Sequence, residues 1–389
     1  MHLDNVKYLL NKEVINRPIK PYSEEVVSFL DEFSKNLLDH PLSKLHKDIL
    51  TLLFWCRKAH ILELKKKFDC KDRIGWGIVF HITPSNVPIN FFFSYVFALL
   101  AGNSSIVRVP SKKYAQVDII LNVLKTTFKN YEDISKRSCF VSYEKDDNTT
   151  IYFSDISQAR VIWGGDETIS TIKKLPVKAK IQDIIFADRY SFSIIDSKAV
   201  AVLDKKGIST LAKKFYNDTY LMDQNGCSSP HLIIWKNKDL IAINRFYKAL
   251  EEIVRKEYKL EYIMSVDKFT KGCLDAVYLK NIEIKRYGND IYVVTLNDID
   301  ENIYKLRGKS GYFYEYFIDD LNELKSIIND RFQTLTYYGI NREALKEFIF
   351  KNNLLGIDRI VPIGMAFDMD IIWDGYDIVS VLSRKIKVI

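Results

Sequence analysis

The sequence predicts an α/β protein of two domains, and three observations carry that prediction. Short apolar runs of strand length (Ile78–Ile82, Ser105–Val109, Cys139–Tyr143 and Arg160–Trp163) alternate with longer segments of helical period, the pattern of a parallel sheet with helical crossovers. The 389 residues exceed what one comfortable core holds. A content of 47% apolar and 28% charged residues is that of an ordinary globular chain.

The elements follow in order. Residues 1 to about 70 read as helical. From Ser23 to Leu38, apolar residues fall at Val26, Val27, Leu30, Phe33 and Leu37, close to a 3.6-residue period, and a second helix is expected from Ser43 to Phe68. The strand Ile78–Ile82 leads into a buried helix over Val87–Leu100. The strand Ser105–Val109 leads into a helix over Tyr114–Phe128. Strands at Cys139–Tyr143 and Arg160–Trp163 complete a first unit, which the chain leaves around Ser191–Leu203. A helical stretch from Ser209 and a second α/β unit reach to about residue 350, and Ile357–Ile389 is short-stranded and aromatic. The expected domains are residues 1–203, 204–356 and a closing segment 357–389.

Composition excludes several functions. The net charge of +7 is spread among acids, and its densest run, Lys65-Lys66-Lys67, suits a helix C-terminus, so no nucleic-acid stripe is present. Five scattered cysteines without a C-x-x-C argue against a disulfide framework or a zinc site. The six histidines lack metal-binding spacing, so no metal is expected. Neither a signal pattern nor a membrane span is apparent, and a cytoplasmic protein is expected.

Four segments have the residue types of a reactive site. Cys227 lies in Asp223-Gln224-Asn225-Gly226-Cys227-Ser228-Ser229-Pro230, a polar turn before an apolar strand, where a reactive thiol is better placed than a packing one. Asn86 sits in His81-Ile82-Thr83-Pro84-Ser85-Asn86-Val87-Pro88, a strand end fixed by two prolines. Its amide either donates to a developing oxyanion or merely stabilises the turn. The loop Arg108-Val109-Pro110-Ser111-Lys112-Lys113 follows a strand, where a nucleotide ribose or phosphate can be held, although solvated loops also look like this. Trp163-Gly164-Gly165-Asp166 carries a strand through two glycines into a helix, a route for close cofactor approach or simply a cap. His231, four residues after Cys227, begins a strand, and packing decides where it points. His81 reads as a core histidine.

In this order and spacing, and together with Gln333-Thr334-Leu335-Thr336-Tyr337-Tyr338-Gly339 and Trp373-Asp374-Gly375, the segments resemble the aldehyde dehydrogenase superfamily. They are most similar to its LuxC-type fatty acid (acyl-CoA) reductases, over roughly residues 70–389. The resemblance implies a Rossmann-type cofactor domain, a second α/β catalytic domain and a helical N-terminal segment. It assigns Cys227 as nucleophile and Asn86 as oxyanion donor. Cofactor binding falls to Thr83, Pro84, Arg108, Ser111, Lys112, Gly164 and Gly165, with the closing segment returning to the cofactor domain or joining subunits of a homo-oligomer. Lys112 stands where many NAD-using members have a glutamate, which favours NADPH over NADH. The water-activating glutamate of the oxidising members has no counterpart in Ile184–Ser191. The expected function is therefore NADPH-dependent reduction of an acyl-CoA or acyl-protein thioester to an aldehyde, with an acyl-protein synthetase as a partner. Two alternatives stand beside it: an aldehyde dehydrogenase forming acid or acyl thioester, and a non-catalytic partner of an acyl-activating enzyme.

Overall fold

A computed structural model describes residues 5–85 and 87–389. The chain divides into two compact units, one of Met1–Ala187 with Met369–Ile389 and one of Asp188–Asp368. The change of unit comes at Ala187 rather than near 203, because the strand Tyr190–Asp196 already pairs in the second sheet.

The first unit is built on strands β1 (Lys7–Leu10), β2 (Ile78–Ile82), β3 (Ser104–Arg108), β4 (Ser138–Ser142), β5 (Ala159–Trp163) and β6 (Gln182–Phe186). Their order is β1-β4-β3-β2-β5-β6, and all pairs are parallel except the edge pair β1–β4. The order runs outward from β2 to β3 and β4, then restarts on the other side with β5 and β6. That is the doubly wound, Rossmann-type arrangement of NAD(P)-binding domains, and its switch point lies between β2 and β5. Residues on β2 are buried throughout, which explains the continuous apolar run in the sequence.

Helices flank this sheet. α1 (Glu24–Asp39) is capped by Ser23, whose side chain accepts from Val26 N–H. The helix expected over 43–68 is two helices, α2 (Lys47–Trp55) and α3 (Lys58–Lys66). The break comes where Arg57 turns extended (ψ 137°) and lays its guanidinium 3.9 Å from the Phe54 ring centre. α4 (Asn90–Leu100) buries ten of its eleven residues. α5 (Ala115–Thr127), α6 (Asp147–Ile156) and α7 (Asp166–Lys174) complete the crossovers. The C-terminal strand Ser383–Lys385 pairs antiparallel with Arg73–Gly75. Buried Asn103 ties this corner together: its Oδ1 accepts from Trp76 N–H (2.6 Å) and Gly77 N–H (3.2 Å), and its Nδ2 donates to Leu382 O (2.8 Å).

The second unit carries β7 (Tyr190–Asp196), β8 (Pro230–Lys236), β9 (Glu283–Tyr287), β10 (Ile291–Thr295), β11 (Tyr312–Ile318), β12 (Phe332–Tyr338) and β13 (Arg359–Pro362). Their order is β9-β10-β11-β8-β7-β12-β13, parallel apart from the hairpin β9–β10. Alternation divides the core between the two faces. Ile233 and Trp235 pack with α8 (Lys205–Thr219) and α9 (Leu240–Glu257), while Leu232 and Ile234 face Tyr190, Phe192 and Phe332. A further helix, α10 (Tyr262–Tyr278), precedes the hairpin.

Candidate active site

In the second unit, Cys227 sits half-buried in the loop between a short 3₁₀ turn (Tyr220–Met222) and β8. The loop is pinned from below by Gln224, which is fully buried with φ +62°. Its amide donates to Pro230 O and Tyr312 O, both at 3.0 Å, and its Oε1 accepts from Gly311 N–H at 3.2 Å. Gly226 is required by packing, since a Cβ there would lie 2.5 Å from the Phe367 ring.

Two further bonds orient the backbone at the thiol. Ser229 N–H donates to Gly226 O (2.9 Å), which fixes the Gly226–Cys227 peptide and sends the Cys227 N–H the opposite way, as a trans peptide requires. Ser191 Oγ donates to Cys227 O (2.6 Å) and accepts from Thr334 N–H (3.2 Å). The Cys227 sulfur lies 4.0 Å from Ser228 Oγ, and Ser228 in turn donates to Gln333 Oε1 (3.2 Å). Sequence reasoning quoted Gln224 and Gln333 within motifs without giving them a task. Gln224 lies in the turn and Gln333 on β12, and nothing in the sequence sets either amide apart from a solvated one.

His231 is not placed as a base. Burial pushes its imidazole down to about 3, Nδ1 lies 3.1 Å from Gly308 O, and the ring stacks on Tyr190. His81, in the first unit, is likewise a core group. Its ring nitrogens meet Ser94 Oγ (2.7 Å) and Ser105 Oγ (3.3 Å), and burial lowers it to about 3.

The remaining expected residues share the C-terminal edge of the first sheet. Thr83 and Pro84 follow β2, Arg108, Ser111 and Lys112 end or follow β3, and Gly164 and Gly165 follow β5. Thr83 Oγ1 donates to Arg108 O (2.8 Å), joining the ends of β2 and β3. Arg108 is turned to the sheet: it donates to Tyr143 O (3.1 Å) and stacks on that ring at 4.3 Å. Ser111 and Lys112 are exposed, with Lys112 Nζ 5.3 Å from the Tyr114 ring centre. Asn86 lies outside the described residues.

The glycines answer whether a dinucleotide fits this edge. A Cβ at Gly164 would make only ordinary contact with Thr168 at 3.4 Å, and one at Gly165 would meet nothing within 4 Å. Gly165 has an unremarkable φ of −70°. Neither residue is therefore needed by the protein's own packing, and a side chain at 165 would fill the space in front of α7. Asp166 and Glu167 already satisfy that helix's dipole, so the glycines offer close backbone approach rather than an anion site. In the sheet-edge crevice this suits a nicotinamide dinucleotide. Among the described residues no cluster has the donors for a metal, no disulfide is formed, and no helix is long and apolar enough to cross a membrane.

Solved structures share this fold. The NAD-dependent benzaldehyde dehydrogenase of Corynebacterium glutamicum is 13% identical, covering 94% of this chain and 84% of that one, with a TM-score of 0.62. The 1-pyrroline-5-carboxylate dehydrogenase of Thermus thermophilus is 11% identical, with coverages of 94% and 81% and a TM-score of 0.61. The NADP-dependent glyceraldehyde-3-phosphate dehydrogenase of Bacillus halodurans is 13% identical, with coverages of 94% and 86% and a TM-score of 0.61. No match is found among curated proteins.

These likenesses correct the expected activity. The reading as a fatty-acyl reductase, with NADPH converting an acyl-CoA or acyl-protein thioester to aldehyde, is not upheld: the solved structures that share the fold carry the names of benzaldehyde, 1-pyrroline-5-carboxylate and glyceraldehyde-3-phosphate dehydrogenases. The physical reason lies in what the missing glutamate decides. A water-activating carboxylate selects between water and another acceptor for a thioester. It leaves the direction of electron flow open, since the thiol chemistry is traversed both ways through the same intermediates. The fold is that of the aldehyde dehydrogenase superfamily, and the family model described as acyl-CoA reductase (LuxC) matches residues 2–262, so the chain belongs to the LuxC family.

Proposed function

We propose that the protein oxidises an aldehyde to a thioester held on Cys227, and passes the acyl group to a thiol acceptor of the coenzyme A class in preference to water. The observation that carries this reading is the Cys227 loop: a half-buried thiol on a backbone fixed by Ser229, Ser191 and Gln224. The thiolate adds to the aldehyde carbonyl carbon, and the carbonyl oxygen becomes an oxyanion. The Cys227 N–H and the Asn86 amide stabilise that charge. Thr83, Pro84, Gly164 and Gly165 would hold the cofactor at the sheet edge, with Arg108 bracing the loop through Tyr143. Bound there, an oxidised nicotinamide dinucleotide supplies the two-electron acceptor that turns the thiohemiacetal into the thioester. Exposed Ser111 and Lys112 favour the 2′-phosphate of NADP over the hydroxyl of NAD.

The preference for a thiol acceptor rests on the Ile184–Ser191 stretch. Its one carboxylate, Asp188, is paired with Arg307 at 2.9 Å and so is not placed to activate water. The absence of disulfides suits a reducing compartment.

The test is incubation with aldehydes and NADP, with and without coenzyme A, read by nicotinamide absorbance and intact-protein mass. We expect turnover that needs the thiol, and an acyl adduct on Cys227 when the thiol is left out. Asn86→Ala should lower kcat about a hundred- to a thousand-fold, the usual loss for one oxyanion donor. Cys227→Ala turning over at the parent rate would overturn the scheme, and acid formed equally well without coenzyme A would overturn the acceptor.

A further inference from the structure

Helix α10 has its polarity reversed. The side it buries carries Lys268, Gly272 and Asp275. Lys268 Nζ donates to Asp290 O (3.0 Å) and Ser310 O (2.9 Å). Asp275 accepts from Tyr312 OH (2.7 Å) and Tyr314 OH (2.6 Å) and pairs with Lys271 at 2.6 Å. Polar groups thus hold the helix down, and its apolar side chains are left outside. Tyr262, Ile263, Val266, Leu274, Val277 and Tyr278 are between 46% and 95% exposed, and Phe269 at the middle is 56% exposed. An amphipathic helix of a monomer does the opposite.

We propose that this face of α10 is the contact between two copies of this chain, with the helices antiparallel about a two-fold axis through Thr270. Symmetry of the sequence supports a second copy as occupant. Counting outward from Thr270, Tyr262 and Tyr278 stand eight residues away on either side, Ile263 and Val277 seven, and Val266 and Leu274 four. Under the two-fold, Tyr262 meets the partner's Tyr278, Ile263 the partner's Val277 and Val266 the partner's Leu274. In these three pairs an apolar residue meets another of similar size, as a self-complementary patch requires, while Phe269, one residue from the axis, comes opposite the partner's Lys271. Antiparallel helix dipoles also attract.

The area also suffices. Seven large, mostly uncovered side chains present on the order of 900 Å² of surface. The largest apolar patch of a typical monomer is roughly 300–600 Å², and a stable interface takes about 800 Å² from each partner.

Sedimentation velocity on the full chain tests the proposal, together with cysteine cross-linking. We expect the wild type to self-associate at micromolar concentration. The double variant Ile263→Glu, Leu274→Glu should keep its circular dichroism and melting temperature while losing half its mass, with association weakened at least a hundredfold. Thr270→Cys should form a disulfide-linked dimer under mild oxidation, because residue 270 faces itself across the axis at disulfide range. The exposed native Cys273, displaced along the helix by about 9 Å from its symmetry mate, should not link in the wild type. If the glutamate variant fails to fold, the Thr270→Cys cross-link decides alone. A wild type that is monomeric at all concentrations overturns the proposal, as does an oligomer that neither loses mass with the glutamates nor cross-links through residue 270. Capture of a different protein on this face by a monomeric wild type overturns the second copy as occupant.

Discussion

At the scale of single residues, the thiol is held by groups that do no chemistry. Gln224 spends its side chain on three backbone groups, at Pro230, Tyr312 and Gly311, so that a left-handed turn can precede Cys227. Gln224→Ala would strand two buried carbonyls and one N–H, at about 1–3 kcal/mol for each group left unmet. We expect a loss of roughly 3 kcal/mol or more in urea denaturation, and slower labelling of Cys227 by a bulky thiol reagent as the loop shifts. A variant with unchanged stability and unchanged labelling would show the amide to be ornamental. Cys227 itself was legible because glycine and serines at an element boundary are a poor setting for a packing cysteine. Gln224 was not, because a buried amide and a solvated one read alike in sequence. The split between α2 and α3 was hidden for a related reason: Arg57 gives no breaker signal, and only its stacking on Phe54 shows the turn.

At the scale of elements, each sheet encloses a neutral histidine. Burial lowers His81 on β2 and His231 on β8 from the usual 6.5 to about 3. Between those values the unfolded chain binds protons that the folded chain does not, so stability falls as pH drops from about 6.5 toward 3. Urea midpoints measured at pH 7 and pH 5 should show this decline, and His81→Gln should flatten the slope whatever it does to the absolute stability. An identical slope in the variant would remove His81 from the cause. The central strands were readable from continuous apolar runs such as Ile78–Ile82. The edge strand β1 was not, since four residues paired on one side carry too little pattern to stand out from the helices around them. Helix α10 has a strong apolar content but gave no warning that its apolar side faces outward.

At the scale of the molecule, the two α/β sheets and the crevice edge of the first were expected from alternation and motif order, and the sheet orders had to come from the pairing itself. Long-range pairing is silent in sequence: nothing in Ser383-Arg384-Lys385 announces Arg73–Gly75 as its neighbour. That pairing predicts the effect of a truncation. Deleting residues 369–389 removes the strand from Arg73–Gly75 and the Leu382 carbonyl from Asn103. Hydrogen exchange should then show lost protection in the first unit while β7, β8 and β12 keep theirs. Uniform protection across both units, equal to the parent, would refute a structural role for the tail.

The same discontinuity orders events during synthesis. The first unit needs its last 21 residues, Met369–Ile389, whereas the second is one unbroken stretch, Asp188–Asp368. On the ribosome the second unit can therefore close while the first still waits for its final strand. A segment made early is thus completed late, and until Ser383–Lys385 emerges the Arg73–Gly75 strand lacks its antiparallel partner.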